Sequence, residues 1–206
     1  LLKRYVFHES GTLVSGIIGG LYSSTATISV LARKSRKASE QEATDYVAAM
    51  LLAVSMMFLR FMILILIFSR EIFLSIYPYL LTMAVVAAIV AWFIHSRQKR
   101  PEGQSAETEE DDSSNPLEFK VALIFAILFV IFTFLTHYTL VYAGTGGLNL
   151  LSFVSGFSDI TPFILNLLQN TGSVAALIIT ACSMQAIISN IMVNMFYACL
   201  LYTSPS

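Results

Sequence analysis

Long apolar runs without charges are the feature of this sequence that most restricts its fold. Six runs, at about 12–32, 45–68, 72–95, 117–138, 147–168 and 173–197, each approach the ~20 residues that cross a bilayer as a helix. Only 12% of the residues are charged, against roughly 25% in soluble domains. Runs this continuous exclude the alternating strands of about 10 residues that build membrane barrels. The sequence therefore predicts an all-α, polytopic integral membrane helical bundle with about six transmembrane helices.

Lysine and arginine are concentrated in two of the loops between these runs. If every run crosses the membrane once, three of these residues lie on one side, at Lys3, Arg4 and Arg70. Eight lie on the other side, at Arg33, Lys34, Arg36, Lys37, Arg97, Lys99, Arg100 and Lys120. Cytoplasmic loops carry an excess of basic residues. The bias therefore places loops 33–44 and 96–116 in the cytoplasm.

Three segments lie outside the predicted bundle or mark its limits. Residues 96–115 hold nine charges and no large apolar side chain, which predicts a disordered cytoplasmic loop before Pro116 opens the next helix. The last residues, 199–206, are unlike the rest and are interpreted as a non-native tail, so the transmembrane domain is residues 1–198. The start at Leu1, without a methionine, is interpreted as the start of a fragment whose N-terminal part is missing.

The first run contains the segment SGIIGGLYSSTAT at residues 15–27, which is rich in glycine and hydroxyl side chains. Small residues four apart allow transmembrane helices to approach closely, and this predicts helix packing at Gly16, Gly19 and Gly20. A helix with so little side-chain bulk can also unwind where it lines a cavity. Two interpretations stay open: packing alone, or packing together with a polar path lined by Ser23, Ser24 and Thr25.

Two ionisable residues lie inside the runs, Arg60 in the second and Asp159 in the fifth. Each costs free energy in lipid and therefore needs a partner, and their similar depth predicts that they pair. Pro162 is expected to kink the fifth span and to free the carbonyl of Ser158. With Thr161 nearby, oxygen ligands for a small cation or a proton would collect there. The alternative is a structural salt bridge that only holds two helices together.

The sixth run adds buried amides, and the fifth resembles the first. Asn190 and Asn194 lie one helical turn apart and predict either helix–helix hydrogen bonds or the lining of the same polar path. GLYSSTATISVL at residues 20–31 aligns with GFSDITPFILNL at 156–167, with the glycines Gly20 and Gly156 in register. An internal duplication and chance both explain the similarity. In the six-span interpretation both copies point the same way through the membrane.

Several classes of protein are excluded by what the sequence lacks. SGFSD is not a G-x-S-x-G nucleophile elbow, and GTGG at 144–147 has no following lysine for a phosphate loop. Two cysteines without CxxC spacing do not predict a disulfide framework. The net charge of −1 gives no reason to expect a nucleic-acid partner. We therefore expect a protein that is not an enzyme and has no cofactor; a metal ligand set is undecided.

The segments SGIIGGLYSSTATISVLARKSRK, NPLEFKVALIFAILF, SGFSDIT and SNIMVN resemble the DUF4010-type membrane domain, which commonly follows an MgtC/SapB-type domain. The resemblance implies a multi-pass bacterial inner-membrane protein, often described as a transporter. Our hypothesis is a transporter or channel-like protein for a small ion or solute, with broken or kinked first and fifth spans around a polar site near the membrane midplane. The alternative is a non-transporting membrane regulator of MgtC-like type. Its partners would be the lipid bilayer and either another membrane protein or further copies of itself.

Overall fold

The computed structural model describes residues 12–97, 116–170 and 174–203. Most of the predicted loop at 96–115 therefore lies outside the described residues. The described residues form these helices: α1 (Thr12–Lys37), α2 (Glu40–Phe68), α3 (Arg70–Ser96), α4 (Pro116–Tyr142), α5 (Gly144–Ser155), α6 (Ile160–Gln169) and α7 (Ala176–Thr203). The all-α prediction is confirmed over these residues.

Four of these helices are long and apolar enough to cross a membrane, namely Thr12–Arg36, Glu42–Phe68, Arg70–Ser96 and Ala176–Leu201. They also expose large apolar side chains, such as Trp92 with 76% and Leu177 with 80% of its surface accessible. A soluble protein does not expose apolar side chains along whole helices. The chain therefore has the helix lengths and the surface of a membrane protein.

The chain divides into two compact units. The first unit contains the described residues of 12–64, 77–97 and 194–203, and the second contains those of 65–76, 116–170 and 174–193. Within each unit, the contacts between residues of different helices show which helices run parallel and which run antiparallel.

In the first unit, α1 does not run straight. Ser23 has φ −156° and ψ 106°, which is extended backbone inside the helix. A Cβ placed on Gly19 would lie 2.8 Å from the methyl carbon of Thr27. Residues eight apart in a continuous helix are about 12 Å apart along its axis. The second arm of α1, residues 24–37, therefore folds back along the first arm, residues 12–22, and we call this segment the first hairpin.

The helix that follows the first hairpin runs parallel to its first arm. Gly16 packs against Ala49 of α2, and Gly20 packs against Ala53. Because both residue numbers rise together, the first arm and α2 point the same way. Helix α3 returns antiparallel to α2, since the Asp45 carboxylate contacts the His95 ring near the start of α2 and the end of α3.

In the second unit, α5 and α6 are separated by residues 156–159, whereas the sequence predicts a single kinked span at 147–168. Pro162 is the third residue of α6. The N–H that it lacks has no partner within a helix at this position, so the proline lies in the first turn of a new helix. The chain therefore reaches a helix end near Ser155 and a helix start at Ile160.

Helix α7 runs parallel to α5, and this fixes the direction of α6. Asn149 accepts a hydrogen bond from Cys182 at 3.4 Å, and Ser189 donates one to the Phe153 carbonyl at 2.7 Å. Helix α7 thus starts level with the start of α5. To reach that level the chain must return about 18 Å, the length of the 12-residue α5. The 10-residue α6 covers about 15 Å of that distance. We call α5, residues 156–159 and α6 the second hairpin.

Candidate functional site

Most of the polar residues singled out in the sequence lie at, or donate hydrogen bonds to, the two points where the hairpins turn. We call residues 22–25 the first tip and residues 156–161 the second tip. Backbone groups at a helix end lack partners within the helix, and in an apolar surrounding each such group costs free energy if it stays unsatisfied. The structure therefore has to supply a partner for each group.

At the first tip, Ser23 caps the second arm of α1. Its hydroxyl oxygen accepts a hydrogen bond from the Ala26 N–H at 3.4 Å, and its carbonyl accepts one from the Thr27 hydroxyl at 2.8 Å. Of the other predicted lining residues, Ser24 is buried and Thr25 is half-buried. The hydroxyl groups that the sequence concentrates here thus lie at a helix start, where serine is a favoured cap.

The charged partner of the first tip is Arg60 of α2. Its Nη1 donates a hydrogen bond to the Tyr22 carbonyl at 3.0 Å. Tyr22 is the last residue before the extended Ser23, so this carbonyl is at the end of the first arm. Arg60 is half-buried and uses part of its guanidinium to satisfy backbone at the tip.

At the second tip, Asp159 is the N-cap of α6. It has φ −74° and ψ 114°, and its Oδ1 accepts a hydrogen bond from the Thr161 N–H at 2.9 Å. A carboxylate at a helix N-terminus is also stabilised by the helix dipole. Asp159 is exposed and Thr161 is half-buried, so the carboxylate is capped by backbone and yet accessible.

Asn190 of α7 holds the backbone of the second tip. Its Nδ2 donates to the Gly156 carbonyl at 3.1 Å and to the Ser158 carbonyl at 3.4 Å. Its side chain is almost completely buried, with 3% exposed. The sequence predicts a free Ser158 carbonyl; the structure gives this carbonyl a donor.

The predicted pair of Arg60 and Asp159 falls in different units, and their pairing stays a prediction. Asn194, which the sequence predicts beside Asn190, is buried with 2% exposed and belongs to the first unit. The hydrogen bonds of the first tip and those of the second tip are therefore described separately.

The glycines predicted for helix packing have two kinds of neighbour. A Cβ on Gly20 would lie 2.5 Å from the Ala53 Cα, and one on Gly156 would lie 2.8 Å from the Asn190 nitrogen. Gly16 likewise faces the backbone of α2. Gly19 differs, because its neighbour is Thr27 of the other arm of the same hairpin. Glycine is thus required both between helices and inside the first hairpin.

Sequence reasoning missed two polar groups of the second hairpin. Asn166 of α6 is 2% exposed, and its Nδ2 donates to the Thr133 hydroxyl of α4 at 2.8 Å. Asn149 of α5 lies beside a cleft of about 270 Å³ at the start of the hairpin, lined by Thr145, Asn149, Leu177, Ile178 and Ala181. The sequence did contain a signal for both residues, because Asn149 and Asn166 are amides inside the apolar run at 147–168. Among the described residues, no group of three or more His, Cys, Asp or Glu could hold a metal ion.

These features define the class: a helical membrane protein with membrane-length apolar helices and two polar helix interruptions. The chain belongs to the family defined by a domain of unknown function, DUF4010, whose model matches residues 1–201. An uncharacterised protein from Aquifex aeolicus (strain VF5) is similar, with 25% identity over 198 residues that cover 93% of this chain and 83% of the relative. No solved structure matches the chain.

Proposed function

We propose that the protein moves a small ion or solute across the bacterial inner membrane and that Asp159 is the ligand for it. The observation that carries the proposal is an exposed carboxylate at an interrupted helix in an otherwise apolar chain. Asp159 follows the 12 residues of α5, which places it about 18 Å from the start of that helix. The hydrocarbon core is about 30 Å thick, so the carboxylate would lie near its middle.

An exposed carboxylate at that depth favours a water-filled path over contact with lipid. An acidic residue facing acyl chains at the centre of a bilayer costs on the order of 2.5–3.5 kcal/mol on insertion scales. Non-helical backbone is tolerated at this depth only where it is buried in protein or lines a cavity. For the first unit we propose separately that Ser23, Ser24 and Thr25 line a polar path at the first tip and that Arg60 supplies positive charge there.

The cap geometry makes a sharp test possible. Asn and Asp are nearly equal as N-caps, whereas Ala is poor. Asp159→Asn therefore removes the charge and keeps the cap, and Asp159→Ala removes both. The purified protein is placed in proteoliposomes, and uptake of H⁺, Na⁺, K⁺ and Mg²⁺ is followed with ion-sensitive dyes.

We expect the wild type to carry at least one of these ions and Asp159→Asn to lose that flux at unchanged thermal stability. Asp159→Ala should lose both the flux and some stability. Flux that is unchanged in Asp159→Asn overturns the role of the carboxylate. If the wild type carries none of the four ions and a membrane protein co-purifies with it instead, the MgtC-like regulatory function replaces transport.

A further inference from the structure

We propose that the first and second hairpins are two copies of one re-entrant element and that they enter the membrane from opposite sides. Neither hairpin then crosses the bilayer. The inference goes beyond the proposed function, because it concerns how the chain crosses the membrane and holds whether or not an ion is moved. Five lines of observation carry it.

The two tips are equivalent residue by residue at a separation of 136 positions. Ser23 and Asp159 are each an extended residue whose side-chain oxygen caps the returning arm. The carbonyl one residue earlier accepts a side-chain hydrogen bond in both: Tyr22 from Arg60, and Ser158 from Asn190. In each case the donor belongs to the helix that runs parallel to the first arm. A chance similarity of apolar sequences does not predict this agreement.

The two hairpins also pack against their neighbouring helices in the same way, through glycines that are 136 positions apart. Gly20 meets Ala53, and Gly156 meets Ser189, so each glycine contacts the residue 33 positions further along the chain. Three further identities of the alignment lie in the returning arms. Ile28 with Ile164 and Leu31 with Leu167 are buried pairs, and Thr25 with Thr161 is a half-buried pair. An internal duplication explains both the sequence similarity and the shared contacts.

The arms are too short to cross a membrane. Those of the first hairpin have 11 and 14 residues, or about 16 and 21 Å. Those of the second have 12 and 10 residues, or about 18 and 15 Å. A bilayer core of about 30 Å needs roughly 20 residues. Each hairpin therefore reaches about half way and returns to the side on which it began.

Three helices, α2, α3 and α4, separate the two hairpins along the chain. Each has 27 residues or more, enough to cross once. An odd number of crossings puts the ends of the second hairpin on the side opposite to those of the first. Paired elements of inverted topology recur in secondary transporters, although the inference does not depend on transport.

The positions of the basic residues support this topology independently of the contacts. With two re-entrant hairpins, Lys3 and Arg4 move to the same side as the two basic loops. That side then holds ten of the lysines and arginines, and the other side holds Arg70 alone. Six straight spans divide the same residues eight against three. Since cytoplasmic loops are enriched in Lys and Arg, the re-entrant topology fits the rule better and places the end of α7 in the cytoplasm.

A native cysteine provides a test of the second hairpin. In the re-entrant topology residue 149 lies beside Cys182, whereas in six straight spans it lies level with Cys199, at the other end of α7. We therefore oxidise the variant Asn149→Cys in membranes and identify the bridge by mass spectrometry. A bridge between residues 149 and 182 supports the inference, and a bridge between residues 149 and 199 overturns it. The same variant with Cys182→Ser is the control.

Thiol labelling tests both hairpins and decides the matter when no bridge forms. Single cysteines are placed at Thr12 and Ala38 for the first hairpin and at Thr145 and Ala175 for the second, in a background of Cys182→Ser and Cys199→Ser. A membrane-impermeant maleimide should reach the first two only from the cytoplasmic side and the last two only from the opposite side. If the two ends of either hairpin label from different sides, that hairpin spans the membrane and the inference is wrong. Flux is not measured, so failure here is distinct from failure of the transport proposal.

Discussion

At the scale of single residues, a few side chains compensate for backbone that the helices leave without partners. Arg60 donates to the Tyr22 carbonyl, and Asn190 donates to the carbonyls of Gly156 and Ser158. Such residues look alike in a sequence, because an amide or a guanidinium in an apolar run predicts only that a partner exists. The structure shows that Arg60 and Asn190 use hydrogen-bond donors on backbone carbonyls at helix ends. Only the remaining polar groups of these side chains can bind a ligand.

The predicted pairing of Arg60 with Asp159 leads to a direct measurement. We expect Arg60→Leu and Asp159→Leu each to lower the free energy of unfolding if the charges are paired, by up to about 1 kcal/mol, because Asp159 is exposed and Arg60 is half-buried. The double variant should then be more stable than the sum of the two losses predicts, because it leaves no isolated charge. Urea unfolding of the four proteins in detergent measures the coupling energy. Additive losses would show that the two charges do not meet.

At the scale of elements, the contact between α5 and α7 depends on a residue without a side chain. In Gly156→Ala, the new methyl group would meet Ser189 and lie 2.8 Å from the Asn190 nitrogen. Overpacking of this kind costs about 1–3 kcal/mol, and we expect a lower thermal unfolding temperature in detergent. Gly146→Ala, where a Cβ has open space, is the matched control.

The control should be neutral or stabilise slightly, because alanine favours helix over glycine by about 0.5–1 kcal/mol. Equal losses in both variants would contradict the close approach of α5 and α7. Rescue of Gly156→Ala by Ser189→Gly would add support, since the second change removes the side chain that the methyl group meets.

The sequence predicted an all-helical chain with long apolar helices, and both hairpin tips lie in segments whose polar residues it singled out. It could not show that the chain reverses at them. A folded-back pair of arms, such as residues 12–37, is as long and as apolar as one crossing helix, so hydropathy treats the two alike. The reversal depends on an extended Ser23 and on contact between Gly19 and Thr27, which is visible only in three dimensions. The partner of Asn166 is equally invisible, because Thr133 is 33 residues away.

At the scale of the whole molecule, the direction of each crossing decides which loops tolerate positive charge. In the re-entrant topology the link between α6 and α7 lies outside the cytoplasm, and it carries no lysine or arginine. Six straight spans would place the same link in the cytoplasm, where basic residues are favoured. The two topologies therefore make opposite predictions for lysines introduced at this link.

We expect the double variant Gln169→Lys, Ala175→Lys to insert poorly, because its new charges oppose the orientation set by the other basic residues. Both positions are exposed, so packing is not disturbed. A fluorescent protein fused after residue 206 reports the cytoplasmic C-terminus, and its signal should fall by about twofold or more, since added C-terminal charges can reverse a topology. The control, Ala38→Lys with Ser96→Lys, adds two charges on the basic side and should keep the signal. If the fusion to the unchanged protein gives no signal, the C-terminus lies outside the cytoplasm, and the region from α5 to α7 crosses the membrane as two straight spans. If both double variants keep the signal, lysines at this link do not oppose insertion, and the prediction is wrong.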